Sequence, residues 1–102
     1  MNYQVVLQLH APAANLLDRI VELEDAIVGV LGDAAVDGHD VGTSEANVFL
    51  FTDTPVETFF RLRSIIDTLP PDFRIDAAFR QTDREDYTRL WPPGESRPFV
   101  VL

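Results

Sequence analysis

Histidine is the side chain that titrates nearest neutral pH, and this sequence has two, His10 and His39. With Asp76 or Glu45 to orient it, either could serve as a general acid or base. The densest polar run is Asp37-Gly38-His39-Asp40-Val41-Gly42-Thr43-Ser44-Glu45-Ala46-Asn47, one imidazole among several carboxylates. Asp37, His39, Asp40 and Glu45 are therefore the candidate ligands for a divalent metal. Their spacing fits no fixed metal template, and aspartate, glycine and asparagine also serve a tight turn's own backbone hydrogen bonds. The expectation is a turn with surface histidines beside it, and neither metal nor cofactor. Ser44, Ser64 and Ser96 lie in no recognisable nucleophile context. Cysteine is absent, and all eight basic residues are arginine. Thiolate, Schiff-base and phosphate-loop lysine chemistry are thereby excluded. No residue is assigned a catalytic role.

Composition narrows the classes further. A chain of 102 residues supports one core and is too short for two. An apolar fraction of 46% suits a globular domain and argues against disorder. No apolar run approaches the roughly 20 residues of a membrane span, and no signal peptide is readable. The expected compartment is the cytoplasm. A formal charge of −9 repels a phosphate backbone, so nucleic acid is not expected as a partner. It favours solubility, or attraction to a basic protein.

The elements that would position these side chains follow from periodicity. Tyr3 to Leu9 alternates, with Tyr3, Val5, Leu7 and Leu9 on one face and Gln4, Val6, Gln8 and His10 on the other, which predicts a strand. Ala11 and Pro12 break it. From Ala13 to Leu31 the step becomes three to four: Leu16, Ile20, Leu23, Ile27 and Val30 predict an amphipathic helix stopped by Gly32. Ala35 to Gly38 reads as a short strand, His39 to Ser44 as a hairpin connection, and Ala46 to Thr52 as the strongest strand of the chain. Thr54-Pro55-Val56-Glu57 opens a second helix with a capping box. That helix turns Val56, Phe59, Phe60, Leu62, Ile65, Ile66 and Leu69 inward and ends at Pro70-Pro71. Phe73 to Phe79 alternates again. A charged stretch from Asp83 to Asp86 leads to Leu90-Trp91, and Phe99 to Leu102 could pair as one more short strand.

The order strand, helix, strand, strand, helix, strand predicts an α+β, ferredoxin-like βαββαβ domain, residues 1–102. It has an antiparallel sheet, two helices on one face and a C-terminal extension over residues 83–102. Such a sheet leaves its second face open. Asn47, Phe49 and Phe51 point one way and Val48, Leu50 and Thr52 the other, so whichever set faces the helices, apolar area remains on the open side. The chain's own ending, a second copy, or another partner could cover it. The open-face binding candidates are His10, Phe49, Phe51, Arg80, Tyr87 and Trp91. The RNA-recognition motif shares this topology and stacks bases on third-strand aromatics. Here Glu45-Ala46-Asn47-Val48-Phe49-Leu50-Phe51 lacks that motif's basic start and its glycine. The leading expectation is a non-catalytic module that forms a homodimer or binds a protein. The alternative is a small metal- or ligand-dependent enzyme built on His10, His39 and nearby carboxylates.

The run from Asp37 to Pro55, followed by Asp86-Tyr87-Thr88-Arg89-Leu90-Trp91-Pro92, resembles a group of small bacterial ferredoxin-like proteins of unassigned function. Some proteins with similar hairpins look like immunity proteins that neutralise a toxin. The resemblance covers about half the chain. It implies the fold and a protein partner, and it carries over no catalytic residue.

Overall fold

A computed structural model describes residues 2–11, 13–69 and 73–101. Within them the chain runs β1 (Tyr3–His10), α1 (Ala13–Leu31), a 3-10 turn (Asp33–Ala35), β2 (Val36–Val41), β3 (Glu45–Thr52), α2 (Pro55–Asp67), β4 (Arg74–Gln81) and β5 (Thr88–Trp91). The result is an α+β fold with two helices and one five-stranded antiparallel sheet, ordered β2-β3-β1-β4-β5. The predicted breaks at Pro12 and Pro70-Pro71 lie outside the described residues, as does Leu102.

The sheet's two faces follow the alternation in the sequence. Val5, Leu7 and Leu9 of β1 join Ala46, Val48 and Leu50 of β3 and Ile75 and Ala77 of β4 in one buried cluster. Leu16, Ile20, Leu23 and Ile27 of α1 and Phe59, Leu62 and Ile66 of α2 cover that cluster. The opposite face carries Gln4, Val6, Gln8 and His10 of β1, paired with Phe51, Phe49, Asn47 and Glu45 of β3. On its other side β1 pairs these four with Arg80, Ala78, Asp76 and Arg74 of β4.

Four expectations need correction. The strand at the end of the chain is Thr88–Trp91, whereas residues 98–101 carry none. β2 extends to Val41, so His39 and Asp40 are strand residues and the hairpin connection shrinks to residues 42–44. Thr54 makes no side-chain cap on α2; its N–H instead donates to Thr52 Oγ1 at 3.0 Å, and the Thr52 and Thr58 hydroxyls bond at 2.7 Å. Last, Val30, Val56 and Phe60 do not turn inward. Val30 of α1 is 37% exposed; on α2, Val56 is 49% and Phe60 64% exposed, because the buried side of that helix runs through Thr58, Phe59, Leu62 and Ile66.

Candidate functional site

Asp76 sits in the middle of β4 on the face away from the helices, opposite Gln8, with its side chain only 5% exposed. A carboxylate in such a position must be paired or neutral. Its Oδ2 accepts from His10 Nε2 at 2.9 Å and Arg74 Nη2 at 3.3 Å, and its Oδ1 accepts from Arg89 Nη1 at 3.2 Å. Arg97 Nη2 stands 4.0 Å away. One anion thus holds three guanidiniums and an imidazole. His10 Nε2 also lies 3.0 Å from Gln8 Oε1; both neighbours are acceptors, so this nitrogen carries the proton.

The polar line continues across the sheet. Gln8 Nε2 has three acceptors within hydrogen-bond distance for its two hydrogens, Glu45 Oε2 at 2.9 Å, the Val100 carbonyl at 2.9 Å and Asn47 Oδ1 at 3.1 Å. Asn47 Nδ2 in turn donates to Asp40 Oδ1 at 2.9 Å. Gln8, Asn47 and Asp76 are each buried, which a strand centre tolerates only because every one of them is hydrogen-bonded.

The cover over this face is the chain's own end. Arg89 Nη2 donates to the Arg97 carbonyl at 2.9 Å, the Tyr87 and Phe99 rings lie 5.1 Å apart, and the Arg89 guanidinium stands 5.8 Å from the Phe99 centroid. Val100 reaches Gln8, and beneath this segment Val6 and Ala78 are completely buried. The apolar gap expected on the open face is therefore filled from within the chain. Glu95 and Arg97 brace the segment at 3.2 Å. Side-chain and then backbone hydrogen bonds from Arg97 hold the Glu95 carboxyl below the usual carboxylate range.

The remaining candidates separate. Phe49 and Phe51 are half-buried on the covered face, Phe49 across from Val6 and Gly38. Arg80 serves the β4–β5 turn: Nε donates to Gln4 Oε1 at 3.0 Å, and the two hydrogens of Nη1 are shared among the carbonyls of Gln81, Thr82 and Arg84. Tyr87 packs on the tail. Trp91 is not on the open face. A bulge in β5 pairs Arg89 with Ala78 but Trp91 with Ala77, so Leu90 is the extra residue and Trp91 is flipped to the helix side. There its ring lies 6.2 Å from Phe59 and 4.2 Å beneath the Arg63 guanidinium.

The candidate metal ligands also part company. His39 pairs with Val48 and Asp40 with Asn47 in the β2–β3 register, so their side chains leave opposite faces of the sheet. His39 Nδ1 meets Glu24 Oε2 of α1 at 2.9 Å, while Asp37 is exposed at a bulge and Glu45 bonds Gln8. Among the described residues no group of three or more histidine, aspartate or glutamate side chains is placed to hold a metal ion. His10 and His39 are likewise on opposite faces and cannot act on one substrate.

A second feature lies at the β5 edge. Val56, Phe59 and Phe60 of α2, with Leu90, Trp91 and Pro93, form an apolar hollow of about 250 Å³. Arg63 and Arg89 complete its wall. Sequence reasoning missed Phe60, Arg63 and Arg89; counting the helical arc of α2 would have found the first.

Compared with known proteins, the chain matches no family model, no curated protein and no solved structure. Among the described residues no helix is long and apolar enough to cross a membrane.

Proposed function

We propose that this chain is a non-catalytic assembly module, and that a second copy docks on the outer face of α2. One observation carries the reading: Phe60 is 64% exposed and Val56 49%, one helical turn apart, on the rim of an apolar hollow. Isolated exposed apolar residues need no explanation, but a protruding ring beside a hollow does. A knob and a hole on one patch are self-complementary under a two-fold axis, the commonest symmetry of soluble oligomers. Electrostatics supports the same face. Within Pro55–Asp67 the charges are Glu57, Asp67, Arg61 and Arg63, two of each sign, so α2 is neutral in a chain of net −9. Two copies approach there with the least repulsion. The open sheet face, the first candidate from the sequence, is occupied by residues 95–101.

In this reading the first four strands and two helices are a ferredoxin-like βαββαβ unit with β5 added at its edge, working in the cytoplasm. The likeness to small bacterial ferredoxin-like proteins is in keeping with it.

Multi-angle light scattering across about 1 µM to 1 mM covers any dimer of useful affinity. The mass is expected to rise from 11.5 kDa toward twice that value. Phe60→Ser should hold it at the monomer while shifting unfolding free energy by no more than about 0.5 kcal/mol, as for other exposed positions. A wild-type mass of one chain throughout that range defeats the reading.

A further inference from the structure

We infer that the flank of α1 beside β2 docks a basic protein partner, through an amphipathic helix whose apolar stripe is bordered by lysine or arginine. The inference goes beyond assembly and concerns a different face from that of Phe60.

Helical spacing sets the apolar part. Leu17 is 56% exposed and Val21 40%, one turn apart on α1, and half-buried Val28 continues the line. From Leu17 to Val28 the stripe runs about 16 Å along the helix. β2 flanks it on the sheet side, where His39 Nδ1 meets Glu24 Oε2 at 2.9 Å. Val41, 41% exposed, shares the helix-facing side of β2 with His39, because their partners in β3 are the core residues Ala46 and Val48. Two elements thus leave apolar side chains uncovered along one elongated seam, a shape suited to the apolar face of a partner helix.

Charge names the occupant. Residues 13–45 hold eight acidic residues and one arginine, Arg19, and so carry −7 of the chain's −9. At about 100° per residue, Asp25, Asp18 and Glu22 follow the stripe within about 120° around α1, whereas Arg19 stands about 180° away. There Arg19 pairs with Glu22 at 3.1 Å and lies over the Phe73 ring at 5.5 Å. Asp18 and Asp25 make no ion pair among the described residues. Apolar side chains bordered by carboxylates complement apolar side chains bordered by cations.

Other occupants are opposed by the same field. A second copy would set one −7 region against another, and nucleic acid or an anionic lipid surface would bring phosphates to it. The chain's own tail is engaged elsewhere, with Gln8 and Arg89 on the opposite face of the sheet.

The probe is a fluorescent helical peptide of leucine and lysine alone, with its lysines on one face, and its counterpart has glutamate in place of lysine. Titration into the Phe60→Ser protein keeps assembly through α2 out of the measurement, so the two readings fail separately. The lysine peptide is expected to bind with a dissociation constant on the order of 10 µM at about 0.05 M sodium chloride, and about tenfold more weakly at about 0.5 M. Leu17→Ser and Asp25→Lys should each weaken it about tenfold. Asp83→Lys makes the same change of net charge on the β4–β5 turn and should move it less than about twofold. Val41→Ser reads the seam from β2, should weaken binding about fivefold, and decides the point should Leu17→Ser fail to fold.

The inference is overturned if the lysine peptide does not bind, if the glutamate peptide binds as well, or if folded Leu17→Ser and Val41→Ser proteins bind unchanged. Equal weakening by Asp83→Lys and Asp25→Lys also overturns it, since bulk charge alone would then account for binding. Light scattering on the Phe60→Ser protein tests the rival occupant: a mass above one chain that Leu17→Ser removes would assign this face to a second copy, against the inference.

Discussion

At the residue scale the molecule turns on Asp76. Its carboxylate is the shared counterion of Arg74, Arg89 and Arg97 and the acceptor for His10, so it ties β1, β4, β5 and the tail together. Removing its charge strands Arg89, whose side chain is only 13% exposed. Breaking a buried pair from one side costs about 3–5 kcal/mol. Arg74 and Arg97 are about half exposed and recover hydration, which places Asp76→Asn at the low end, about 3 kcal/mol. His10→Gln, at a position with a quarter of its side chain exposed, should cost under about 1 kcal/mol. Chemical denaturation of the two variants checks the ranking; equal costs would mean that the imidazole, not the arginines, is what Asp76 serves. Asp76 was legible as an open-face residue, and its possible pairing with a histidine was legible too. Its arginine partners were not, because Arg89 and Arg97 reach it from a segment with no periodic pattern.

At the scale of elements, both edge strands carry an irregularity. β5 has its bulge at Leu90, and β2 shifts register between Val36 and Gly38. Bulges bend an edge and interrupt the row of free backbone groups through which sheets otherwise join. Gly38 adopts φ +138° there, a region closed to side chains, and Phe49 lies across from it. Gly38→Ala is therefore expected to cost about 1–3 kcal/mol although nothing lies within 4 Å of the added carbon. Gly29 has equally open surroundings but sits inside α1, so Gly29→Ala should instead stabilise by about 0.5–1 kcal/mol. Opposite signs for two glycines with equal space would establish that backbone conformation, not packing, decides both; thermal unfolding of each variant measures it. The extents of β1, α1, β3 and β4 were readable to within one or two residues from period alone, since the apolar residues facing the core recur at a regular step in each. At about 100° per residue, Phe60 stands roughly 140° around the helix from the midpoint of Leu62 and Ile66, so its exposure was readable as well. β5 was hidden because a bulge destroys the two-residue period by which strands are recognised.

For the whole molecule the governing quantity is charge. Eight arginines against seventeen acidic residues give −9, and since α2 contributes zero, all of it lies elsewhere. The molecule spans 34 × 31 × 22 Å. At 0.01 M salt the screening length is about 30 Å, so every charge acts on every other and two copies meet as −9 against −9; at 0.15 M it is about 8 Å, and only charges near the contact are felt. Association through a neutral, apolar face must therefore strengthen as salt is added, whereas association with a basic partner weakens. This gives the assembly reading a sign as well as a mass. At fixed protein concentration the light-scattering mass should climb between about 0.01 M and 0.3 M sodium chloride and then level off, since the apolar contact itself depends little on ionic strength. Phe60→Ser should stay flat over the same range. A wild-type mass that falls with salt would mean that opposite charges, not the apolar contact, draw the copies together, and the Phe60 reading of the interface would fail.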